Sequence, residues 1–525
     1  MSSTSSQFRN VPAASERAPE SAPRDTRWLY LVLGLGAGFF FYLHLFRFPF
    51  VPVWHWGDQS IFLDHADHML RGQVLYRDLF QLNFPGTEYL YYLLFRCFGV
   101  RMWIAPLASL ITLTAATLLV YSLSRTVLRG PAALLPAIAF LVICLRTSLD
   151  GAHHLFSTAL VFLAVNLIAR ARNSLSICCA GAALGISALF TSSRGFFVAL
   201  GICLFFIWKL RDWRRASRAV AALLAPFFAV IAAMLAYLAT KVAPRLLFES
   251  LVIFPLRYFS AGRFNTAGAF LAELQSALPL RAHSLPLIGL WLASKVLPPV
   301  ILLAFLGWCL RRNGASLRQS PSNHILVLCF FVGVFALLAG GGSLSMARIF
   351  CADAFVYILG TALLAGFGQR PVIAGLLALA VAAGCAETAV AAIRPAYRFD
   401  SPHGPIVLLN RDRYEVISWL SRNARPGDQL FGDPDLNFVL NLWNPAGVQW
   451  VEPGAFTRPE QVRELVSSLD LNHTRFVVWS EFADRPGSGD NLQPLRSYLK
   501  AHYHPAFGFG ESEILAANAD VLPGR

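Results

Sequence analysis

Read from Leu29, the chain alternates long apolar runs with short polar connections as far as Ala392. Eleven runs can be drawn: Leu29–Phe50, Trp103–Ser124, Pro131–Leu149, His154–Ala169, Leu175–Thr191, Phe196–Trp208, Ala219–Thr240, Leu287–Leu310, Ile325–Gly341, Ile349–Phe367 and Val372–Ala392. A helix of about 20 apolar residues crosses roughly 30 Å of hydrocarbon, and a run apolar on every face has no aqueous side to present. The pattern therefore predicts a polytopic α-helical membrane protein with about eleven transmembrane helices. Beyond residue 393 the periodicity changes. Arg413–Asn423, Pro434–Leu442, Pro459–Leu469 and Leu495–His502 read as helices, Gln429–Gly432 and Phe476–Trp479 as strands, and Pro505–Leu515 as closing extended structure. Alternating strands and helices predict a small C-terminal α/β domain.

Composition agrees. Of 525 residues, 56% are hydrophobic and 14% charged, against about a quarter charged in soluble domains. The net charge of +14 does not point to nucleic acid, because Lys and Arg gather in the short connections, as the positive-inside bias requires. Arg9, Arg17, Arg24 and Arg27 precede the first run and place the N-terminus in the cytoplasm. Alternation then puts Arg125/Arg129, Arg170/Arg172, Lys209–Arg218, Arg311–Arg318 and Arg370 inside as well. The expected organisation is a disordered cytoplasmic tail over 1–26, a transmembrane region over 27–393 with a first outer loop at 51–102, and an outer α/β domain over 394–525. None of the nine cysteines follows Cys385 and no CxxC pair occurs, so they read as small hydrophobes.

The first outer loop is where polar chemistry concentrates. Between Trp54 and Gly99 stand Asp58, Asp64, Asp67, Asp78 and Glu88, with His55, His65 and His68. For Asp64, Asp67 and Asp78 the plain alternative is a solvated loop. Asp58 differs, since it follows the first span closely and is flanked by Trp54 and Trp56; a carboxylate held there, partly desolvated, suits a general base. Asp150, followed by His153 and His154, falls in the same plane, as do Arg194 and Arg348. Each Arg alone could be an interface anchor, but together with the acids they form an outward ring suited to a phosphate-bearing substrate. Arg257 belongs to the outer connection Lys241–Ser284, which could carry a helix along the membrane surface. Lys295 and Asp353, in or near apolar runs, are candidates by position; alternatively Asp353 pairs with Arg348. His65 and His68 beside Asp64 and Asp67 could bind a metal or line a polar helix face; the full ligand set is missing, and a divalent metal is left open.

Asp58-Gln59, then Leu70-Arg71-Gly72-Gln73-Val74-Leu75-Tyr76-Arg77-Asp78-Leu79-Phe80, then Pro85-Gly86-Thr87-Glu88-Tyr89-Leu90 resemble the first periplasmic loop of bacterial GT-C glycosyltransferases, the dolichyl-phosphate-mannose-mannosyltransferase-like and aminoarabinose-transferase-like membrane proteins. The Thr191-Ser192-Ser193-Arg194-Gly195 turn and Ala424-Arg425-Pro426-Gly427-Asp428 extend the likeness along the chain. The resemblance implies a glycosyltransferase in the bacterial inner membrane that moves a sugar, with inversion, from a polyprenyl-phosphate donor to an envelope glycan, lipid or protein at the periplasmic face. It implies Asp58 as the base and Asp150 as the second catalytic carboxylate, with Gln59 where the family often carries Glu. Asp64, Arg77, Asp78, Glu88, His154, Arg194, Arg257 and Arg348 are the expected substrate-binding residues. A transporter or flippase for a lipid-linked sugar, or a non-catalytic envelope scaffold, are the alternatives; the one-sided clustering of charge and the lack of repeat symmetry argue against the first.

Overall fold

The structure is a computed structural model describing residues 27–144, 149–259, 289, 292–312, 314–341, 346–425, 427–485, 489–510 and 512–518. The expected N-terminal tail, and residues 260–284 of the connection bearing Arg257, lie outside the described residues. The apolar runs fold as helices: α1 (Arg27–Leu45), α4 (Ile104–Ser124), α5 (Leu135–Cys144), α6 (His153–Ala169), α7 (Ser174–Phe190), α8 (Ser192–Lys209) and α9 (Trp213–Ala239) in the first part. Then come α10 (Leu297–Arg311), α11 (Pro321–Leu338), α12 (Met346–Gly366) and α13 (Arg370–Ile393). Seven are long and apolar enough to cross a membrane, and four more are shorter apolar helices, so each expected run has its helix. Two amphipathic helices, α2 (Asp58–Leu70) and α3 (Gly86–Phe98), fill the first loop.

Some boundaries differ from the hydropathy reading for local reasons. The run Pro131–Leu149 begins as a 3-10 turn at Gly130–Ala133, where Pro131 sits, and continues as the helix Leu135–Cys144 within the described residues. The run placed at Phe196 starts four residues earlier, so Thr191 alone separates α7 from α8. The Lys241 connection forms a short helix, Pro244–Phe248, continued by two π turns, Glu249–Ile253 and Pro255–Phe259.

Helix packing uses small residues where backbones approach. A Cβ on Gly181 would stand 2.0 Å from the Leu223 carbonyl oxygen, and one on Gly185 2.8 Å from that of Phe227, so α7 and α9 meet through a small-residue stripe. The basic ends gather at one end of the bundle. Arg125 lies over the rings of Tyr30 and Tyr121 at 5.4 and 5.7 Å, Arg170 donates to the Ser122 carbonyl at 2.7 Å, and Arg318 lies over Trp208 at 5.3 Å. The first loop and the C-terminal residues occupy the opposite end.

There a two-residue hairpin, β1 (Phe46–Arg47) and β2 (Val51–Pro52), leads into α2. After α13 comes the hairpin β3 (Tyr397–Ser401) and β4 (Gly404–Leu408), which the sequence pattern did not suggest. The Val407 carbonyl accepts from the Trp54 amide at 2.8 Å, joining that hairpin to the first loop. The remaining strands, β5 (Leu430–Phe431), β6 (Phe476–Ser480), β7 (Tyr503–Phe509) and β8 (Ser512–Ala517), form a mixed sheet ordered β5-β6-β8-β7, parallel between β5 and β6. Helices α14 (Arg411–Asn423), α15 (Pro434–Leu440), α16 (Pro459–Leu471) and α17 (Gln493–His502) accompany it. One apolar core runs from α2 and α3 (Phe62, Leu63, Tyr91, Phe95) into α14 and α15 (Ile417, Leu436, Phe438). Phe438 stacks on both Trp54 and Phe95, at 5.9 and 6.0 Å. The loop helices are thus clamped between bundle and C-terminal sheet, which fixes the direction in which α2 presents each carboxylate.

Candidate active site

Asp58 is the first residue of α2, where the unpaired amides and the macrodipole of a helix start favour an anion. Its side chain is 58% exposed, although protein surrounds the carboxylate on its other sides. His153, the first residue of α6, reaches it with Nε2 3.6 Å from Oδ2. The opposite ring nitrogen, Nδ1, faces the Phe190 carbonyl at 3.2 Å and the Thr191 hydroxyl at 3.0 Å. A carbonyl can only accept, so Nδ1 carries a proton and Nε2 is the nitrogen left to share one with Asp58.

Asp150 lies in the turn before α6. A Cβ on Gly57 would come 3.3 Å from Asp150 Oδ2, so the two carboxylate-bearing segments touch. Gly57 has φ +150°, a conformation that side chains disfavour, and glycine meets both requirements at once. Gln59 locks the contact: its amide nitrogen donates to the His55 carbonyl while its Oε1 accepts from the Gly151 amide at 2.9 Å. Glutamate, ionised, could do only the second of these. Tyr91, from α3, donates its hydroxyl to the Gly151 carbonyl.

The two carboxylates have opposite electrostatic fates. Burial is the largest influence on Asp58 and opposes its charge, but the proximity of His153 and the charge of Arg348 outweigh it, leaving its pKa below the ordinary value. For Asp150, burial first and then the charge of Asp58 push the pKa up to about 7. Near neutrality Asp58 is a carboxylate while Asp150 divides between its acid and its carboxylate form, the division of labour used where one acid must act as base and another as donor.

Of the expected cations, Arg348 is nearest in effect, since its charge acts on Asp58. Its guanidinium lies 5.4 Å from the Phe259 ring, on the π turn that also carries the exposed Arg257. Arg194 is placed differently. It is 2% exposed, and its guanidinium donates to the His154 carbonyl at 2.6 Å, Ser157 Oγ at 2.7 Å, Thr158 Oγ1 at 2.8 Å and the Arg348 carbonyl at 3.1 Å. Arg194 therefore staples α6, α8 and α12 together and positions Arg348. His154 stacks on His153 with ring centroids 3.9 Å apart.

The other expected acids are not brought to Asp58. Asp64 is buried on α2, accepts from Gln449 Nε2 and stands 3.7 Å from His68 Nε2. Burial, then the neighbouring Asp67, raise its pKa well above the carboxylate range. Glu88 is wholly buried, accepts from Gln81 and lies 3.7 Å from His65 Nδ1. Asp78 accepts from the Val74 amide at 2.8 Å and from Arg77 at 2.8 Å, closing the turn after α2. Among the described residues no three His, Cys, Asp or Glu side chains converge as metal ligands. Asp353 is wholly buried in α12, and neither carboxylate oxygen has a hydrogen-bond partner among the described residues, so the pairing with Arg348 is not formed. Lys295 is buried in the π turn Leu292–Val296.

His153 and Gln59 are the site residues that sequence reasoning passed over. The signal for His153 was its place three residues beyond Asp150; nothing in the sequence distinguishes it from His154, which turns the same corner.

No family model matches the sequence, and no curated protein matches it. Among solved structures, ArnT from Cupriavidus metallidurans bound to undecaprenyl phosphate superposes with a TM-score of 0.61 at 12% identity, covering 96% of this chain and 100% of that one. The Archaeoglobus fulgidus oligosaccharyltransferase, in a complex with Zn and sulfate, gives 0.52 at 16% identity over 91% of this chain and 73% of that chain. The loop resemblance and the superposition agree: this chain has the fold of the GT-C membrane glycosyltransferases.

Proposed function

We propose that the protein is an integral-membrane glycosyltransferase that moves a sugar from a polyprenyl-phosphate donor to an envelope acceptor at the periplasmic face, with inversion at the anomeric carbon. The observation that carries this reading is the ionised Asp58 set beside an Asp150 whose pKa is raised to about 7, with His153 and Arg348 acting on the Asp58 carboxylate. The lipid-phosphate substrate class is drawn from ArnT, which binds undecaprenyl phosphate.

Asp58 takes the proton of an acceptor hydroxyl while the oxygen attacks the anomeric carbon from the face opposite the phosphate. The new C–O bond forms as the bond to the phosphate oxygen breaks, and that oxygen leaves with the electron pair as polyprenyl phosphate. His153 Nε2–H orients the Asp58 carboxylate, which keeps the acquired proton. Asp150 in its protonated form donates a hydrogen bond to the acceptor or to the Asp58 side. Arg348, with Arg257 at the border of the site, holds the phosphate and stabilises the charge that grows on it.

The test is sugar release from radiolabelled polyprenyl-phosphate sugars in inner-membrane vesicles. Wild type should turn over one donor, and Asp58→Asn, inserted normally and with equal protease access to its C-terminal residues, should not. Full activity in that variant removes Asp58 as base. Donor binding without turnover by wild type defeats the transferase reading.

A further inference from the structure

We propose a second phosphate-binding site, for the headgroup of an anionic membrane phospholipid, in the recess between the Asp58 ends of α1 and α13 formed by His44, Arg47, His55 and Arg394. The proposal is independent of the transfer reaction.

The recess is lined by those four residues together with Leu149 and Ala391. His44 is 8% exposed, and its Nδ1 hydrogen donates to the Phe40 carbonyl at 2.8 Å, one turn back on α1. Its other nitrogen, Nε2, faces the recess and has no partner among the described residues. The same is true of the buried Nε of Arg47, whose Nη2 reaches the Arg394 carbonyl at 3.4 Å, a long contact. A buried charged donor left unpaired costs about 1–3 kcal/mol or more, so the Arg47 Nε calls for an acceptor in the recess.

The charge balance says what kind. Two guanidinium groups border the recess, and the carboxylate that acts on His44 is Glu387, on α13. Burial above all, with the positive charge of Arg394, holds His55 at about 4, so it is a neutral imidazole beside two guanidinium groups. An anion with several acceptor oxygens satisfies both Arg forks together.

The setting selects a lipid. Beside the recess Phe48 is 89% exposed and Ile393 82%, with Phe50 also exposed. Large apolar side chains around a basic recess at the end of spanning helices suit acyl chains below and a phosphate above. An occupant would also brace the catalytic turn: the His55 carbonyl receives the Gln59 amide, and Leu149 adjoins Asp150.

Native mass spectrometry of the full chain, with phosphatidylglycerol as the probe and inorganic phosphate as competitor, tests this. Wild type should retain one tightly bound phosphatidylglycerol and gain thermal stability from it. Arg47→Ala with Arg394→Ala should weaken retention by at least about tenfold, whereas Arg370→Ala, at the other end of α13, should not change it. His44→Gln and Arg47→Gln, milder changes that preserve polarity, should each give a smaller loss in folded protein. Displacement of the lipid by millimolar inorganic phosphate would support the phosphate site and assign it to a free anion. Equal retention by wild type and the folded variants overturns the proposal. Because the readout is lipid binding, that failure is separate from any failure of sugar transfer.

Discussion

Two regions of the same helix treat their carboxylates in opposite ways. Asp58, at the start of α2, is more than half exposed and kept ionised by His153 and Arg348. Asp64, six residues on, is buried against Gln449 and driven towards its neutral form. Glu88, on the neighbouring α3, shares that second fate in being wholly buried. Acid density along a loop thus says little by itself. What separates chemistry from architecture is whether the protein supplies an acid with a counter-charge and an opening, or with a neutral amide and a lid.

The sharpest break of this comparison is to neutralise one acid at each end. Asp58→Asn removes the base, and transfer should fall by about 10²–10⁴-fold while melting temperature hardly moves. A loss of folding with no specific loss of turnover would mean that both ends of α2 are structural. Next is Gly57→Ala, which leaves both acids in the sequence. The added methyl sits 3.3 Å from Asp150 Oδ2 on a backbone at φ +150°. Strain of about 1–3 kcal/mol at the junction should lower kcat by roughly tenfold or more with little change in donor KM. A variant with wild-type kcat would show that the spacing of the two carboxylates is not critical.

A pH profile sharpens the same contrast with a smaller effect. Burial and the charge of Asp58 disfavour the ionised form of Asp150, so its pKa of about 7 lies above the ordinary value and its proton is lost as pH rises through that point. Asp58, held below the carboxylate norm, stays ionised throughout this window. The protonated share of Asp150 falls from about nine-tenths at pH 6 to about one-tenth at pH 8, and kcat should decline on that alkaline limb. Asp150→Asn keeps a donor that cannot ionise, so its profile should be flat across the limb. A limb that persists unchanged in Asp150→Asn belongs to another group.

The bundle was legible in the sequence because a run of apolar residues long enough to span hydrocarbon has few other options, and all eleven runs became helices. The place of Asp58 just past a span was legible too. The geometry that makes it useful was not. Gln59 reads as a departure from an acidic pair until its amide is seen to join His55 to Gly151, a contact between residues 92 apart in sequence. Arg194 shows the converse. An arginine in the first turn of a span looks like a phosphate ligand, but here Nη1 and Nη2 donate to His154, Ser157, Thr158 and Arg348. Hydropathy records where a side chain leaves the membrane, not which way the neighbouring helix makes it turn. The hairpin Tyr397–Leu408 escaped notice for a related reason, since its pairing with Trp54 is supplied by a distant loop.

The smallest effect is expected at the buried end, and it decides whether Asp64 belongs to architecture. Gln449 donates to Asp64 Oδ2, and a protonated carboxyl keeps one oxygen free to accept that bond. An asparagine side chain offers the same acceptor without a charge, so Asp64→Asn should leave kcat unchanged and alter stability by less than about 1 kcal/mol. Asp64→Leu removes the acceptor and strands the buried Gln449 amide, and should cost about 1–3 kcal/mol, read as loss of folded protein on heating, again with kcat intact per folded molecule. If Asp64→Asn instead lowered kcat as Asp58→Asn does, the acid at the buried end would take part in transfer, and the division between the two ends of α2 would fail.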